Sequence, residues 1–170
     1  MNDTRLHIRP ATSHDAAAIL GFIRELATYE REPEAVVATE ADLLRDGWGE
    51  RARFTALIAE YDGVAAGFAL YFTTYSTWRG HHGIRLEDIY VTPALRSHGI
   101  GRALLARLAR IAVDEGCPRL EWDVLNWNEP AIAVYERVGA KRLAEWSIMR
   151  LSEEPLQALA AQDSEARNSR

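Results

Sequence analysis

The sequence is poor in the residues that build disulfide or zinc frameworks. Its 170 residues contain one cysteine, Cys117, so no disulfide can form within the chain. With only five histidines beside that cysteine, a structural zinc site is not expected. No apolar run approaches the length of a membrane span, and residues 1–5 lack the apolar core of a signal peptide. These absences predict a cytoplasmic protein with no membrane partner.

The composition is that of an ordinary globular domain, but its charge is uneven. Hydrophobic residues make up 48% of the chain, charged residues 26%, and the net charge is -5, which argues against nucleic acid as a partner. Residues 29–50 contain seven acidic and two basic side chains, whereas residues 94–113 contain four arginines and no acid. The first segment could attract a cation and the second an anion. Charge alone favours the simpler interpretation of two solvated surfaces.

The hydrophobic pattern predicts helices and antiparallel strands in the first half of the chain. Leu6 and Ile8 alternate with polar residues in a short strand that Pro10 ends, and two helices begin near Thr12 and Thr39. The second helix is expected to end at Gly47. Three strands are expected over Phe54–Glu60, Val64–Thr73 and Arg85–Val91, with a hairpin at Asp62-Gly63 and a polar loop through Gly80 and Gly83.

The second half is predicted to form a strand–loop–helix–strand unit. The expected elements are a helix over Arg102–Glu115 capped by Gly116, a strand over Arg119–Val124, a helix containing Ile132 and Tyr135 that Gly139 ends, and one or two strands within Lys141–Leu151. Residues 1–151 are assigned to one domain, and residues 152–170 to a polar tail that is frayed or weakly helical. The fold class is α/β of the α+β type, with mostly antiparallel strands.

A glycine motif, Arg96-Ser97-His98-Gly99-Ile100-Gly101, lies between the third predicted strand and the following helix. Glycines let backbone amides approach a phosphate, and a helix N-terminus attracts anions. The motif is not a P-loop, because the Gly-Lys-Ser/Thr ending is missing, and its glycine spacing differs from the dinucleotide fingerprint. Taken alone, the motif is equally well explained as a glycine-rich turn that serves packing.

The motif stands among other segments that carry a family resemblance. In order, these are Leu86-Glu87-Asp88-Ile89-Tyr90-Val91, the glycine motif, Trp127-Asn128-Glu129-Pro130 and Val134-Tyr135-Glu136-Arg137-Val138-Gly139-Ala140. This arrangement resembles the GNAT superfamily of acetyltransferases. Residues 8–12, 24–30 and 75–80 are similar to its branch of spermidine/spermine and thialysine N-acetyltransferases. The resemblance covers about residues 5–150.

The resemblance implies a splayed sheet that receives acetyl-coenzyme A (acetyl-CoA) as co-substrate. The amides from Ser97 to Arg102 would meet the pyrophosphate, the strand from Ile89 to Val91 would hold the pantetheine, and Asn128 to Ala131 would close the other side. The implied cofactor-binding residues are Ile89, Tyr90, Val91, Arg96, Ser97, His98, Gly99, Ile100, Gly101, Arg102, Asn128, Glu129, Pro130, Ala131 and Tyr135.

Acetylation of an amine needs a base, because an alkyl ammonium has a pKa of about 10.4 and loses its proton at pH 7 at a cost of about 4.6 kcal/mol. Glu87, in a mostly apolar strand where burial would raise its pKa, is the candidate base, and a structural salt bridge is its alternative role. Asp88 ranks below it, because strand alternation turns it to the opposite face. By resemblance, Tyr135 is the general acid beside the cofactor sulfur. Cys117 is interpreted as a packing residue.

The predicted substrate site combines carboxylates with aromatic rings, which together suit a cationic amine. The substrate-binding candidates are Tyr29, Glu30, Ser76, Trp78, Glu87, Glu145 and Trp146. Polyamine-acetylating members of the branch carry an aspartate where this chain has Ser76, and thialysine-type members carry a serine. His81 and His82 lie in a predicted loop without acidic neighbours, so no metal is proposed.

These observations predict a direct acetyl transfer to the primary amine of a small cation, such as thialysine, another lysine-like amine or a diamine. Acetylation of spermidine, spermine or a protein amine is the alternative within enzymes. A non-catalytic acyl-CoA sensor is the alternative outside them, and the presence of both Glu87 and Tyr135 favours the enzyme. The resembled branch also implies a homodimer.

Overall fold

A five-stranded sheet dominates the fold. The computed structural model describes the backbone of residues 4–168 and the side chains of residues 4–163. The strands are β1 (Leu6–Pro10), β2 (Thr55–Tyr61), β3 (Val64–Ser76), β4 (His81–Val91) and β5 (Leu120–Glu121). They lie in the order β1-β2-β3-β4-β5, antiparallel except for the parallel pair β4 and β5. The predicted α+β class with a mixed, mostly antiparallel sheet is confirmed.

Five α-helices occur within residues 4–168. They are α1 (Ala16–Tyr29), α2 (Glu40–Trp48), α3 (Ile100–Asp114), α4 (Glu129–Arg137) and α5 (Glu153–Asn168). The chain divides into two compact units after Val134, and the sheet lies wholly in the first. No helix of the described residues combines the length and apolarity that crossing a membrane requires.

The first unit buries apolar side chains on both faces of the sheet. On one face, Ile19 and Phe22 of α1 join a core with Ile58, Phe68 and Tyr90 of the strands. On the other face, buried residues of α3 and of the chain just beyond it join Ile84 of β4. The sheet therefore has two packed faces, and an active site must lie at an edge or at a strand end.

Two irregularities of β4 shape the sheet where the glycine loop follows it. The strand pairs with β5 only at Ile84 and Arg85, so within the described residues its second half has no strand partner on that side. Toward β3, Leu70 pairs with Asp88 and Tyr71 pairs with Leu86, which leaves Glu87 as the extra residue of a β-bulge. The splay that the family resemblance implies would begin where this short pairing with β5 ends.

Several predicted boundaries are confirmed by the turns of the first unit. Asp62 and Gly63 both have positive φ (52° and 77°) in the hairpin between β2 and β3. Thr39 caps α2 with Asp42 in a capping box. Gly116, with φ 69°, follows the end of α3.

Other boundaries were predicted wrongly. Gly47 lies inside α2, whose last turn instead closes with the Gly49 N–H donating to the Arg45 carbonyl. Gly83 belongs to β4, because the antiparallel ladder with β3 extends to His81. The strand predicted over Arg119–Val124 is reduced to Leu120 and Glu121, since its ladder with β4 is only two residues long.

The second unit departs further from the prediction. No strand forms over residues 141–151, because the apolar residues there have no neighbouring strand in the described chain to complete a hydrogen-bonded ladder. Leu143, Trp146, Ile148 and Met149 of this segment are exposed. The tail that was expected to be frayed or weakly helical contains α5, a helix of 16 residues.

Candidate active site

The glycine loop forms a polar entrance to α3. A 3-10 turn over Pro93–Leu95 ends at Arg96, Ser97 takes a positive φ of 67°, and Gly99 at φ 78° caps the helix. Ile100 is fully buried and anchors the loop, while residues 96–99 are exposed. The first amides of a helix have no acceptor within the helix, so those after Gly99 can bind an anion.

Gly99 and Gly101 serve different purposes in this loop. Gly99 adopts the left-handed conformation that favours glycine, and a Cβ there would meet no other atom. Gly101 has no positive φ, and its Cβ would meet only Val91 Cγ2 at 3.9 Å. The protein therefore leaves space for a side chain at position 101, and a closely bound ligand would occupy that space. The residues present thus fit the pyrophosphate of acetyl-CoA.

Arg96 connects the loop to β4 and α1. Its Nε donates to the Val91 carbonyl at 3.1 Å, and its guanidinium lies 4.9 Å from the Tyr29 ring centroid and 5.6 Å from that of Tyr90. Burial raises the pKa of Tyr90, and Glu25 raises that pKa further. The first residue of the glycine motif thus covers the end of the strand that is predicted to hold the pantetheine.

The segment that enters α4 is tied to the end of α1. Asn128 is only 8% exposed, and its Oδ1 accepts from the Tyr29 hydroxyl at 3.0 Å and from the Ala131 N–H at 3.4 Å. Trp127 lies 5.9 Å from the Tyr29 ring and 4.8 Å below the Arg31 guanidinium. Asn128 therefore holds the first turn of α4 against Tyr29, a substrate-site candidate.

Three carboxylates form a cluster in which Glu30, the residue after Tyr29, and Glu87 both act on the charge of Asp88. Burial, together with the smaller effect of the charges of Glu87 and Glu30, raises the pKa of Asp88 to about 6. Burial also raises the pKa of Glu30, which caps the end of α1. Because like charges repel at short range, this cluster favours a bound cation.

The structure separates the roles that the sequence assigned to Glu87 and Asp88. Glu87 is exposed, whereas Asp88 is partly buried, so the desolvation expected for Glu87 falls on Asp88. The bulge explains the difference. Asp88 pairs with Leu70 of the α1-facing core, and the alternation that turned Asp88 away does not continue through the extra residue. A bulge is set by pairing between distant residues, so periodicity gives no signal of it.

The structure does not bring all substrate candidates together. Ser76 pairs with His81 at the far end of the hairpin, about 20 Å along β4 from Glu87 at roughly 3.3 Å per residue. Ser76 is 7% exposed, and its hydroxyl accepts from the Arg79 N–H at 3.3 Å. Trp78, in the same turn, is 89% exposed. Within one chain, these two residues lie apart from the carboxylate cluster.

Tyr135, Glu145 and Trp146 belong to the second unit. Tyr135 is half-buried on α4, and its carbonyl accepts from the N–H groups of Val138 and Ala140 where the helix ends. Glu145 and Trp146 are exposed in the segment between α4 and α5. The roles of these three residues stay predictions.

Two expectations about the surroundings of His81 and His82 were wrong. His81 and His82 begin β4 and do not lie in a loop. His82 also has an acidic neighbour, because a ligand atom of Glu115 lies within 4.8 Å of it, as does the Cys117 thiol. Residues so far apart in the chain gave no motif from which this grouping could be read.

A mixed, mostly antiparallel sheet with a glycine loop between β4 and α3 is the arrangement of the acetyl-CoA-dependent acetyltransferase class. The chain belongs to the acetyltransferase (GNAT) family, whose sequence model matches residues 20–140. It is therefore an N-acetyltransferase that uses acetyl-CoA, as the sequence predicts.

Two relatives and one solved structure show the level of similarity. The thialysine N-epsilon-acetyltransferase of Bos taurus is 39% identical to this chain, and the matched region covers 90% of this chain and 96% of the bovine protein. The human spermidine/spermine N(1)-acetyltransferase-like protein 1 is also 39% identical over 90% of this chain, which spans 23% of that longer protein. An integron cassette protein from the mobile metagenome of V. cholerae superposes with a TM-score of 0.78 at 26% identity, covering 92% and 98% of the two chains.

Proposed function

We propose that this acetyltransferase acts on the primary amine of a compact cation, of which thialysine, other lysine-like amines and short diamines are the models. The observation that carries the proposal is that Glu30, the residue after Tyr29, and Glu87 both act on the charge of the partly buried Asp88. Up to three negative charges in one place attract an ammonium group, and an aromatic ring covers its carbon chain. The thialysine N-epsilon-acetyltransferase relative supports the same class of substrate.

The carboxylate pair of Glu87 and Asp88 would take the proton from the ammonium, directly or through water. Asp88 is the member tuned for this step, because its pKa of about 6 lies closer to neutral pH than that of an ordinary aspartate. Glu30 would hold the cation through its charge. This assignment extends the predicted base from Glu87 alone to the pair.

The cofactor side of the reaction rests on the glycine loop. The amides after Gly99 would bind the pyrophosphate, and the β4 edge from Ile89 to Val91 would orient the pantetheine. Bound acetyl-CoA supplies the acetyl group and its thiol leaving group. A thiol with a pKa of about 8.5 leaves more readily when protonated, and Tyr135 is proposed to donate that proton. A homodimer, implied by the resemblance, stays a prediction.

A panel of amines assayed with acetyl-CoA and thiol detection tests the proposal. We expect the highest kcat/KM with thialysine or another compact amine, and lower values with spermidine and spermine. Preference for spermine would contradict the compact substrate class. Binding of acetyl-CoA without thiol release for any amine, including a protein amine, would indicate a sensor.

A further inference from the structure

A second group of reactive side chains lies at the opposite end of β4 from the glycine loop. It consists of His82, Glu115 and Cys117, named here the β4–α3 cluster. One ligand atom of each residue lies within 4.8 Å of the others. Along β4, at roughly 3.3 Å per residue, His82 is about 16 Å from Glu87 and about 30 Å from Val91. The β4–α3 cluster is therefore separate from both the carboxylate cluster and the glycine loop.

The end of α3 fixes two members of the cluster. Gly116 adopts a left-handed φ of 69°, and its N–H donates to the Val113 carbonyl while the Cys117 N–H donates to that of Ala112. These two hydrogen bonds form a Schellman motif, which closes a helix with a defined chain direction. Glu115 and Cys117 therefore stand on either side of Gly116 in a fixed geometry.

The start of β4 fixes the third member. His82 and Ile84 share one face of the strand because side chains alternate, and Ile84 packs with Ala112 and Cys117. The His82 ring stacks on that of His81 with centroids 4.4 Å apart, and the His82 carbonyl lies 3.0 Å from His81 Nδ1. The His81 ring in turn lies 3.9 Å from the position of a Cβ on Gly116. The histidine pair is thus held against the end of α3.

Sulfur, nitrogen and oxygen donors in one place match the preference of Zn²⁺. Zinc takes thiolate, imidazole and carboxylate ligands in tetrahedral geometry, whereas Ca²⁺ and Mg²⁺ take oxygen ligands. Tetrahedral bond lengths place sulfur and oxygen ligands about 3.5 Å apart. Cys117 Sγ lies 4.0 Å from Glu115 Oε2, and Glu115 is exposed, so a small side-chain rotation closes the difference.

We propose that His82, Glu115 and Cys117 bind one Zn²⁺ ion, with water as the fourth ligand. The ion would join the start of β4 to the end of α3, two elements far apart in sequence. Its effect is on stability, because the ligands lie far from the carboxylate cluster. Zinc at about a hundredfold above its Kd should raise Tm by roughly 5–10 °C.

The test uses tag-free full-length protein that has been stripped with a chelator. Calorimetric titration with Zn²⁺ should give a stoichiometry of one, and Co²⁺ should give a near-ultraviolet thiolate-to-cobalt charge-transfer band. Cys117→Ser should abolish the band, and His82→Ala and Glu115→Ala should weaken binding about tenfold or more. His14→Ala is the matched control, because His14 is an exposed histidine outside the cluster.

The outcomes separate the proposal from binding elsewhere on the surface. Glu115→Ala keeps the test valid if a buried substitution unfolds the protein, since Glu115 is exposed beyond the end of α3. Circular dichroism of each variant checks its folding. Absence of the cobalt band in the wild type, or the same affinity in His14→Ala and Glu115→Ala, would overturn the proposal.

Discussion

At the scale of single residues, the environment of Asp88 affects both its proposed role as a base and the stability of the folded protein. Burial and two neighbouring carboxylates raise its pKa from 3.8 to about 6. Between about pH 4 and pH 6, Asp88 therefore keeps a proton in the native state that it has lost in the unfolded state. The free energy of unfolding falls as pH rises through this window. The full shift corresponds to at most about 3 kcal/mol, reduced because Asp88 is only partly buried.

Asp88→Asn should therefore stabilise the protein while it slows the reaction. We expect the free energy of unfolding to rise by about 1–3 kcal/mol at pH 7.5, and this gain to disappear toward pH 4. Urea denaturation at the two pH values measures it. In the wild type, kcat/KM should increase as pH rises through about 6. In Asp88→Asn, kcat/KM should no longer rise in this range and should be about 10²–10⁴-fold lower at neutral pH.

Glu87→Gln is the matched comparison for this prediction. Glu87 is exposed on the bulge, so its substitution should change stability little. If only Glu87→Gln removes the pH limb, Glu87 is the base and Asp88 only sets the local charge. Wild-type turnover across pH in both variants would contradict the role of the pair.

At the scale of elements, substitutions at the start of α3 can distinguish an effect on acetyl-CoA binding from an effect on packing. A Cβ at Gly101 would meet only Val91 Cγ2 at 3.9 Å, so Gly101→Ala should fold with unchanged or slightly higher stability. Gly101→Val adds bulk where the pyrophosphate is expected and should weaken acetyl-CoA binding about tenfold or more. Calorimetric titration with acetyl-CoA measures the change.

Gly21 provides the control for this prediction. It lies within α1, has ordinary helical φ, and a Cβ there would meet no atom within 4 Å. Gly21→Ala should gain about 0.5–1 kcal/mol of stability and leave cofactor affinity unchanged. Undiminished affinity in a folded Gly101→Val variant would show that the pyrophosphate does not pass this position.

At the scale of the whole molecule, charge is distributed to suit two unlike ligands. The arginine-rich segment over residues 94–113 includes the glycine loop, and the acidic segment begins at Glu30, a member of the carboxylate cluster. Salt screens such fields, with a Debye length of about 10 Å at 0.1 M and 3 Å at 1 M. Raising KCl from about 0.05 to 0.5 M should therefore raise KM severalfold for both acetyl-CoA and the amine.

Initial-rate measurements at several salt concentrations check this prediction. Sucrose at matched osmolality is the control, because it changes osmotic pressure without screening charge. KM values that do not respond to salt would show that neither ligand is guided by these segments. A neutral amine analogue should lose most of the response on the substrate side.

The sequence by itself determined the local turns and caps of this protein and its family. Local signals identified the hairpin at Asp62-Gly63, the capping box at Thr39 and the glycine loop before α3, because turns and caps depend on neighbouring residues. The ordered motifs identified the acetyltransferase family, and the family model confirms it. Tertiary structure decided the rest. The bulge that separates Glu87 from Asp88 and the grouping of His82 with Cys117 both depend on which distant segments pair, and no local periodicity records that choice.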